Sequence, residues 1–170
     1  MNYYIKSTLL LLLMSCFGCF KFYKSDRNLD VFSNLVNITD ADYPAFTFKG
    51  KTFQAKVVKI LDGDTLDVCF NWKGDIIRWR CRCFGYDSAE MKPLLSNKNR
   101  LKIINKAKSD KERFSELLKD GLITIECGHF DKYGRILVEI YVHNQLKSIN
   151  KIMVEEGHGV PYFGGKKMET

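Results

Sequence analysis

From Phe53 onward, apolar residues recur at every second position in short runs separated by turn residues, the period of half-buried strands. Phe53 to Leu61 is the first run, Asp62-Gly63-Asp64 a turn, and Thr65 to Phe70 the second run. Two strands joined through a D-G turn predict a hairpin. Lys73-Gly74-Asp75 turns the chain again. Ile76 to Tyr86 then reads as a third strand, with Arg78, Arg80 and Arg82 on one face and Trp79, Cys81 and Cys83 on the other. Met91 to Ile104, rich in Lys and Asn, predicts a loop or a short irregular helix. From about Ala107 the period lengthens, and Phe114, Leu117 and Leu118 among Lys and Glu predict an amphipathic helix stopped at Asp120-Gly121. Leu122 to Cys127 and Ile136 to Val142 predict two more strands joined by a Gly128 to Arg135 loop. Ser148 caps a last helix carrying Ile149, Ile152 and Met153 and ended by Gly157. The expected fold class is α+β: a five-stranded, OB-fold-like antiparallel β-barrel with two to three packed helices.

Upstream of this domain the pattern is different. Lys6 and Lys21 bracket the apolar run Ser7 to Phe20, which includes five consecutive leucines. At about 1.5 Å per helical residue this run falls short of a hydrocarbon core of about 30 Å and suits a signal-peptide core. Retained as an anchor, it would rely on Lys6 and Lys21 snorkelling, with Tyr3, Tyr4, Phe22 and Tyr23 at the interfaces. Ser15, Cys16, Gly18 and Cys19 offer a cleavage site, loosely of the lipoprotein type. The expected organisation is a signal peptide or membrane anchor over 1–23, a linker over 24–50, the domain over 51–165 and a tail over 166–170. The expected location is the membrane or the exterior, with the domain a monomer. With 170 residues the chain has room for one catalytic domain.

Charge narrows the partners. Lys and Arg number 27 against 20 Asp and Glu, a formal +7, which favours an acidic partner such as nucleic acid or an anionic membrane surface. The six cysteines show no paired zinc spacing. Cys81 and Cys83 are expected to point into the core together, and Cys69 and Cys127 are candidate disulfide partners in an exported domain. Asn37-Ile38-Thr39 is a glycosylation sequon, and His129, His143 and His158 fall in no catalytic or metal-binding motif.

Candidate chemistry lies in three charged blocks: Asp62-Gly63-Asp64-Thr65, then Arg82 with Asp87-Ser88-Ala89-Glu90, then Asp131-Lys132-Tyr133-Gly134-Arg135. Asp64 follows a turn and Asp87 ends a strand, where carboxylates can meet a metal. Oxygen ligands suggest Ca2+ or Mg2+, and two carboxylates completed by a backbone carbonyl and waters favour Ca2+. Glu90 is placed to act as a general base on water, and Arg82 and Arg135 to bind a phosphate and stabilise its transition state. Each block alone has a structural explanation. The first is a hairpin turn, Asp87 and Glu90 fit a helix start, the third block fits a solvated loop, and Arg82 fits an ordinary ion pair.

Together, Ile60 to Thr65, Arg82 to Glu90 and Asp131 to Arg135 resemble the three signature blocks of the staphylococcal (thermonuclease-like) nuclease family, over about Phe53 to Tyr162. The resemblance implies an OB barrel and Ca2+ bound by Asp64, Asp87 and the Ser88 carbonyl. It also implies phosphate held by Arg82 and Arg135, water activated by Glu90, and substrate contacts from Tyr133 and Tyr162, the core being the other place for Tyr162. Family members cleave DNA and RNA with little sequence preference and leave 3'-phosphate ends. Gly85 to Pro93 and Gly157 to Gly165 are most similar to versions carried by large DNA viruses of eukaryotes. The chain departs from the pattern at Ala89, where the family has proline, and a freer loop aiming Glu90 follows; the unfolded-state entropy difference is about 0.4–1 kcal/mol. Leu94 to Ile104 falls where the family has a flexible loop beside the site. The secreted bacterial members also continue into a third helix beyond the position of Thr170. The reading that follows is a membrane-tethered or exported Ca2+-dependent nuclease acting on DNA and/or RNA. The alternatives are a non-catalytic nucleic-acid-binding module of the same fold and a membrane-anchored interaction protein.

Overall fold

The computed structural model describes residues 35, 36, 38, 39, 43–143 and 145–164. The expected leader with Cys16 and Cys19, residue Asn37 of the sequon, and the tail over 166–170 lie outside the described residues. The chain divides into two compact units, Met1–Ala45 and Phe46–Thr170. In the first, the Ile38 amide donates to the Leu35 carbonyl at 3.2 Å. Among the described residues no helix is long and apolar enough to cross a membrane.

The second unit is built on β1 (Thr52–Ile60), β2 (Thr65–Trp72), β3 (Asp75–Cys83), β5 (Leu122–Phe130) and β6 (Ile136–Val142), which close a barrel in the order β1-β2-β3-β6-β5. Alternation sorts the side chains. Leu66, Val68 and Phe70 of β2, Ile123, Ile125 and Cys127 of β5, and Ile136, Val138 and Ile140 of β6 fill the interior. Cys69 lies on the opposite face of β2 from these core residues, whereas the Cys127 side chain is in the core. The candidate Cys69–Cys127 disulfide is therefore absent, and all four described cysteines are free. Cys81 and Cys83 point inward as expected, and burial pushes both thiols well above their usual pKa.

The barrel is mixed rather than wholly antiparallel. β3 and β6 run parallel, pairing Cys81 with Ile136, Arg82 with Leu137 and Cys83 with Val138. A parallel pair needs a long crossover. The crossover here is the chain between β3 and β6: the short β4 (Tyr86–Asp87), a loop, helix α1 (Arg100–Leu117) and β5. Helix α1 begins inside the stretch expected to be loop. Its inward stripe runs Ile103, Ala107, Asp110 and Phe114 and continues to Leu118 just past its end, while the exposed Leu101 falls off the stripe and blurs the period of the first turns. The third expected strand breaks after Cys83, since Gly85 takes φ +87° and the chain restarts as β4.

Helix α2 (Ile149–Glu155) is capped by Ser148, whose hydroxyl accepts from the Lys151 amide. The short β7 (Val160–Pro161) pairs with β4, setting Asp87 opposite Val160. Phe48, inside the expected linker, is 1% exposed and meets Phe53, Phe70, Trp72, Trp79 and Phe130 edge-to-face at centroid distances of 5.2–5.9 Å. Burying a ring of this size contributes about 1.5–3 kcal/mol, so the core starts upstream of the first strand.

Candidate active site

Three segments meet beside Arg82 although β1 and β5 run antiparallel, because β6 starts opposite Cys81 of β3 and so carries the turn before it alongside the last residues of β3. The 61–64 turn joins β1 to β2, β4 follows β3, and the 131–135 turn joins β5 to β6. The Tyr86 hydroxyl donates to the Gly63 carbonyl at 2.8 Å and fastens the first loop to the second. A Cβ on Gly63 would lie 2.8 Å from the Ser88 Cβ and 2.9 Å from the Asp110 Cβ, so the close approach of turn, loop and helix requires glycine. The Tyr162 amide donates to the Gly85 carbonyl at 2.9 Å and brings the chain after β7 to the same place.

The resulting cleft, about 670 Å3, is lined by every residue expected from the sequence: Asp64, Arg82, Asp87, Ser88, Glu90, Tyr133, Arg135 and Tyr162. Their partners differ from the expected ones. Asp64 is 3% exposed; its Oδ1 accepts from the Thr65 hydroxyl at 2.7 Å and Arg82 Nη1 at 3.1 Å, and its Oδ2 from the Ser88 amide at 3.0 Å. Arg82 Nη2 donates to Asp87, so one guanidinium bridges the two carboxylates. Burial works against the Arg82 charge, but Asp64 and Asp87 outweigh it and raise its pKa. Burial first, then the charge of Asp64, pushes the Asp62 carboxyl up to about 6.

Asp131 organises the third loop. Its Oδ1 accepts from the Tyr133 and Arg135 amides at 2.8 and 2.9 Å, and its Oδ2 from Arg135 Nε at 2.6 Å. Burial opposes its ionisation, yet these donors hold the carboxyl below its usual range. The Arg135 guanidinium lies 5.3 Å from the centre of the exposed Tyr133 ring. Glu90 is exposed and accepts from the Lys92 amide of its own loop at 3.1 Å.

Two residues that shape the site were not singled out from the sequence. Asp110, 1% exposed on α1, accepts from the Ala89 amide at 3.2 Å and from Lys106, with His158 Nδ1 2.9 Å away. A proline at 89 has no N–H to give, so the departure at Ala89 supplies a hydrogen bond that the family's usual residue lacks. Asn150, 5% exposed on α2, donates to the Phe84 and Val138 carbonyls at 2.9 Å each and accepts from the Ile140 amide at 3.1 Å. It thereby joins β6 to the point where the Arg82 strand ends. A polar residue inside each helix's apolar stripe was the available signal.

Among the described residues no cluster of three or more His, Cys, Asp or Glu side chains is spaced to hold a metal. Asp64 and Asp87 are nevertheless close enough to share one guanidinium, and their hard oxygens suit a divalent cation completed by backbone oxygens and water. Such a cation would compete with Arg82 for both carboxylates.

The small closed barrel with a helix crossover, carrying acids and arginines in one cleft, places the protein in the OB-fold class of α+β domains. Residues 84–169 match the sequence model of the family described as Staphylococcal nuclease homologue, and the chain belongs to that family. It is 30% identical over 126 residues to a protein named Micrococcal nuclease from Shigella flexneri, an alignment covering 69% of this chain and 64% of that one. The chain therefore spans somewhat less than two thirds of that relative.

Proposed function

We propose that this protein hydrolyses phosphodiester bonds of DNA and/or RNA with Ca2+, and that its N-terminal segment exports it or tethers it to a membrane. The observation that carries the reading is the meeting of Asp64, Arg82, Asp87, Glu90 and Arg135 in one cleft, from the 61–64 turn, the β3–β4 segment with the loop after it, and the 131–135 turn. Asp64, Asp87 and the Ser88 carbonyl would hold the ion, which supplies Lewis-acid charge against the phosphate. Arg135, its Nε occupied by Asp131, offers its Nη donors to a phosphate oxygen, and Arg82 does the same on releasing a carboxylate. Glu90 takes a proton from the attacking water after leaving the Lys92 amide. Tyr133, exposed at the rim, and Tyr162 contact the substrate.

The outward Glu90 and the occupied Arg82 favour one second reading, a nucleic-acid-binding domain without catalysis. Digestion of plasmid DNA and of RNA by the full chain separates the two. Cleavage with Ca2+ that stops on addition of EGTA is expected. Glu90→Gln should lower kcat by about 10²–10⁴ and Arg135→Ala by about 10²–10³. Undiminished turnover in either variant refutes the assigned roles, and wild-type inactivity across Ca2+ and pH, with oligonucleotide binding retained, favours the binding reading.

A further inference from the structure

A second groove, about 690 Å3, runs along the outer face of β3 and shares Asp62, Tyr133 and Arg135 with the cleft. Its floor carries Arg78 and Arg80, in line with Arg82. Successive outward residues of a strand stand roughly 6.5 Å apart, so the three arginines span about 13 Å at a step comparable to that of phosphates in an extended polynucleotide. Both side chains are about half exposed, at 53% and 51%, and both hydrogen-bond Asp67, whose side chain is 6% exposed. Asp67 receives Arg78 Nη2 at 2.7 Å and Arg80 Nε and Nη2 at 2.8 and 3.4 Å. Each guanidinium has five N–H donors, so most remain for another acceptor. Asp67 holds the two groups in place and leaves the trio with a net positive charge.

The walls suit a nucleotide as well. Tyr133 stands 71% exposed where cleft and groove join. Trp79 stacks on Phe130 and donates its indole N–H to the Gly134 carbonyl at 2.9 Å, fixing the groove wall to the loop that carries Arg135. Asp62, at the junction, is the acid that the chain must pass.

We infer that the Arg78–Arg80 groove is a subsite for single-stranded nucleic acid, holding one or two phosphates beyond the scissile one while Tyr133 stacks on the base between. The inference deepens the nuclease reading by making its substrate an extended strand rather than a dinucleotide, and its binding arm needs no catalysis.

The test uses the full chain and labelled single-stranded twelve-mers of DNA and of RNA. In EGTA, R78Q/R80Q should weaken twelve-mer binding about tenfold. Loss of two phosphate contacts should also make the plot of log K against log salt shallower by about 1.4. With Ca2+, the ratio of kcat/KM on the twelve-mer to that on a dinucleotide should fall about tenfold, mainly through KM. Because R78Q/R80Q leaves a buried carboxylate unpaired, D67N/R78Q/R80Q serves as the second variant and should behave the same way. An unchanged salt slope and an unchanged ratio overturn the subsite. An equal loss of binding to heparin also overturns it, since the groove is then only a basic patch. Wild-type inactivity with a reduced salt slope in the variant refutes the nuclease reading and leaves the subsite standing.

Discussion

Replacing Asp110 tests whether helix α1 holds the loop that carries Glu90. The carboxylate is 1% exposed and accepts from the Ala89 amide at 3.2 Å, with His158 Nδ1 at 2.9 Å and Lys106 beside it. A hydrogen bond to a charged group contributes about 1.5–3 kcal/mol, and a buried amide left without an acceptor costs about 1–3. Lys106 is 47% exposed, so water takes over much of its share. Asp110→Ala should therefore lose about 2–3 kcal/mol in urea denaturation. It should also lower kcat ten- to hundredfold with little change in KM, because Glu90, the proposed general base, directly follows Ala89 and small displacements of such a group are costly. Ala89→Pro gives the decisive cycle. In the wild type it strips the donor from Asp110; in the Asp110→Ala background there is nothing to strip, and only the entropic gain of about 0.4–1 kcal/mol remains. The two changes should couple by more than 1 kcal/mol. Additivity within about 0.5 kcal/mol would refute the argument that Asp110 replaces the ordering role of proline.

Asn150→Ala should cost about 2–5 kcal/mol, read as a lower melting temperature, because it removes a partner from the Phe84 carbonyl and the Ile140 amide; a change under 0.5 kcal/mol would mean that water satisfies both. Asp67 titrates below its usual range because Arg80, and after it Arg78, hydrogen-bond the carboxylate. Its folded-state pKa is depressed, so its contribution is present above the unfolded value, near pH 4, and is lost as pH falls through the lower folded value. Asp67→Asn should remove that part of the acid dependence in denaturation curves measured from pH 5 downward, and an unchanged dependence would show that the ion pairs add no stability.

The strands and most of the residues that line the candidate site were legible because local physics decides them. The alternation of Leu66, Val68 and Phe70 against Thr65, Asp67 and Cys69 dictates which face of β2 enters the apolar core, whatever the strand pairs with. The Asp62-Gly63-Asp64 and Asp131 to Arg135 blocks are turn chemistry written in neighbouring residues. Pairings between residues distant in sequence were not legible. Nothing near Ile136 says that β6 lies parallel to β3, since that follows only from the route of the crossover. Phe48 looked like linker because its ring partners lie elsewhere in the chain, as far away as Phe130. The first two turns of α1 were concealed by their Lys and Asn and by Leu101, which is exposed and off the buried stripe, whereas Asp110 further along the helix receives the Ala89 amide in the folded protein.

The sequence by itself determined which side chains carry the charge and which strand ends present them, because the period of two and the turn residues act over a few positions. Tertiary structure decided what those charges touch: Arg82 between Asp64 and Asp87, Glu90 on its own loop, and Arg78 with Arg80 on Asp67. A guanidinium reaches whichever carboxylate the fold brings within about 3 Å, and that distance is set by barrel closure rather than by sequence spacing.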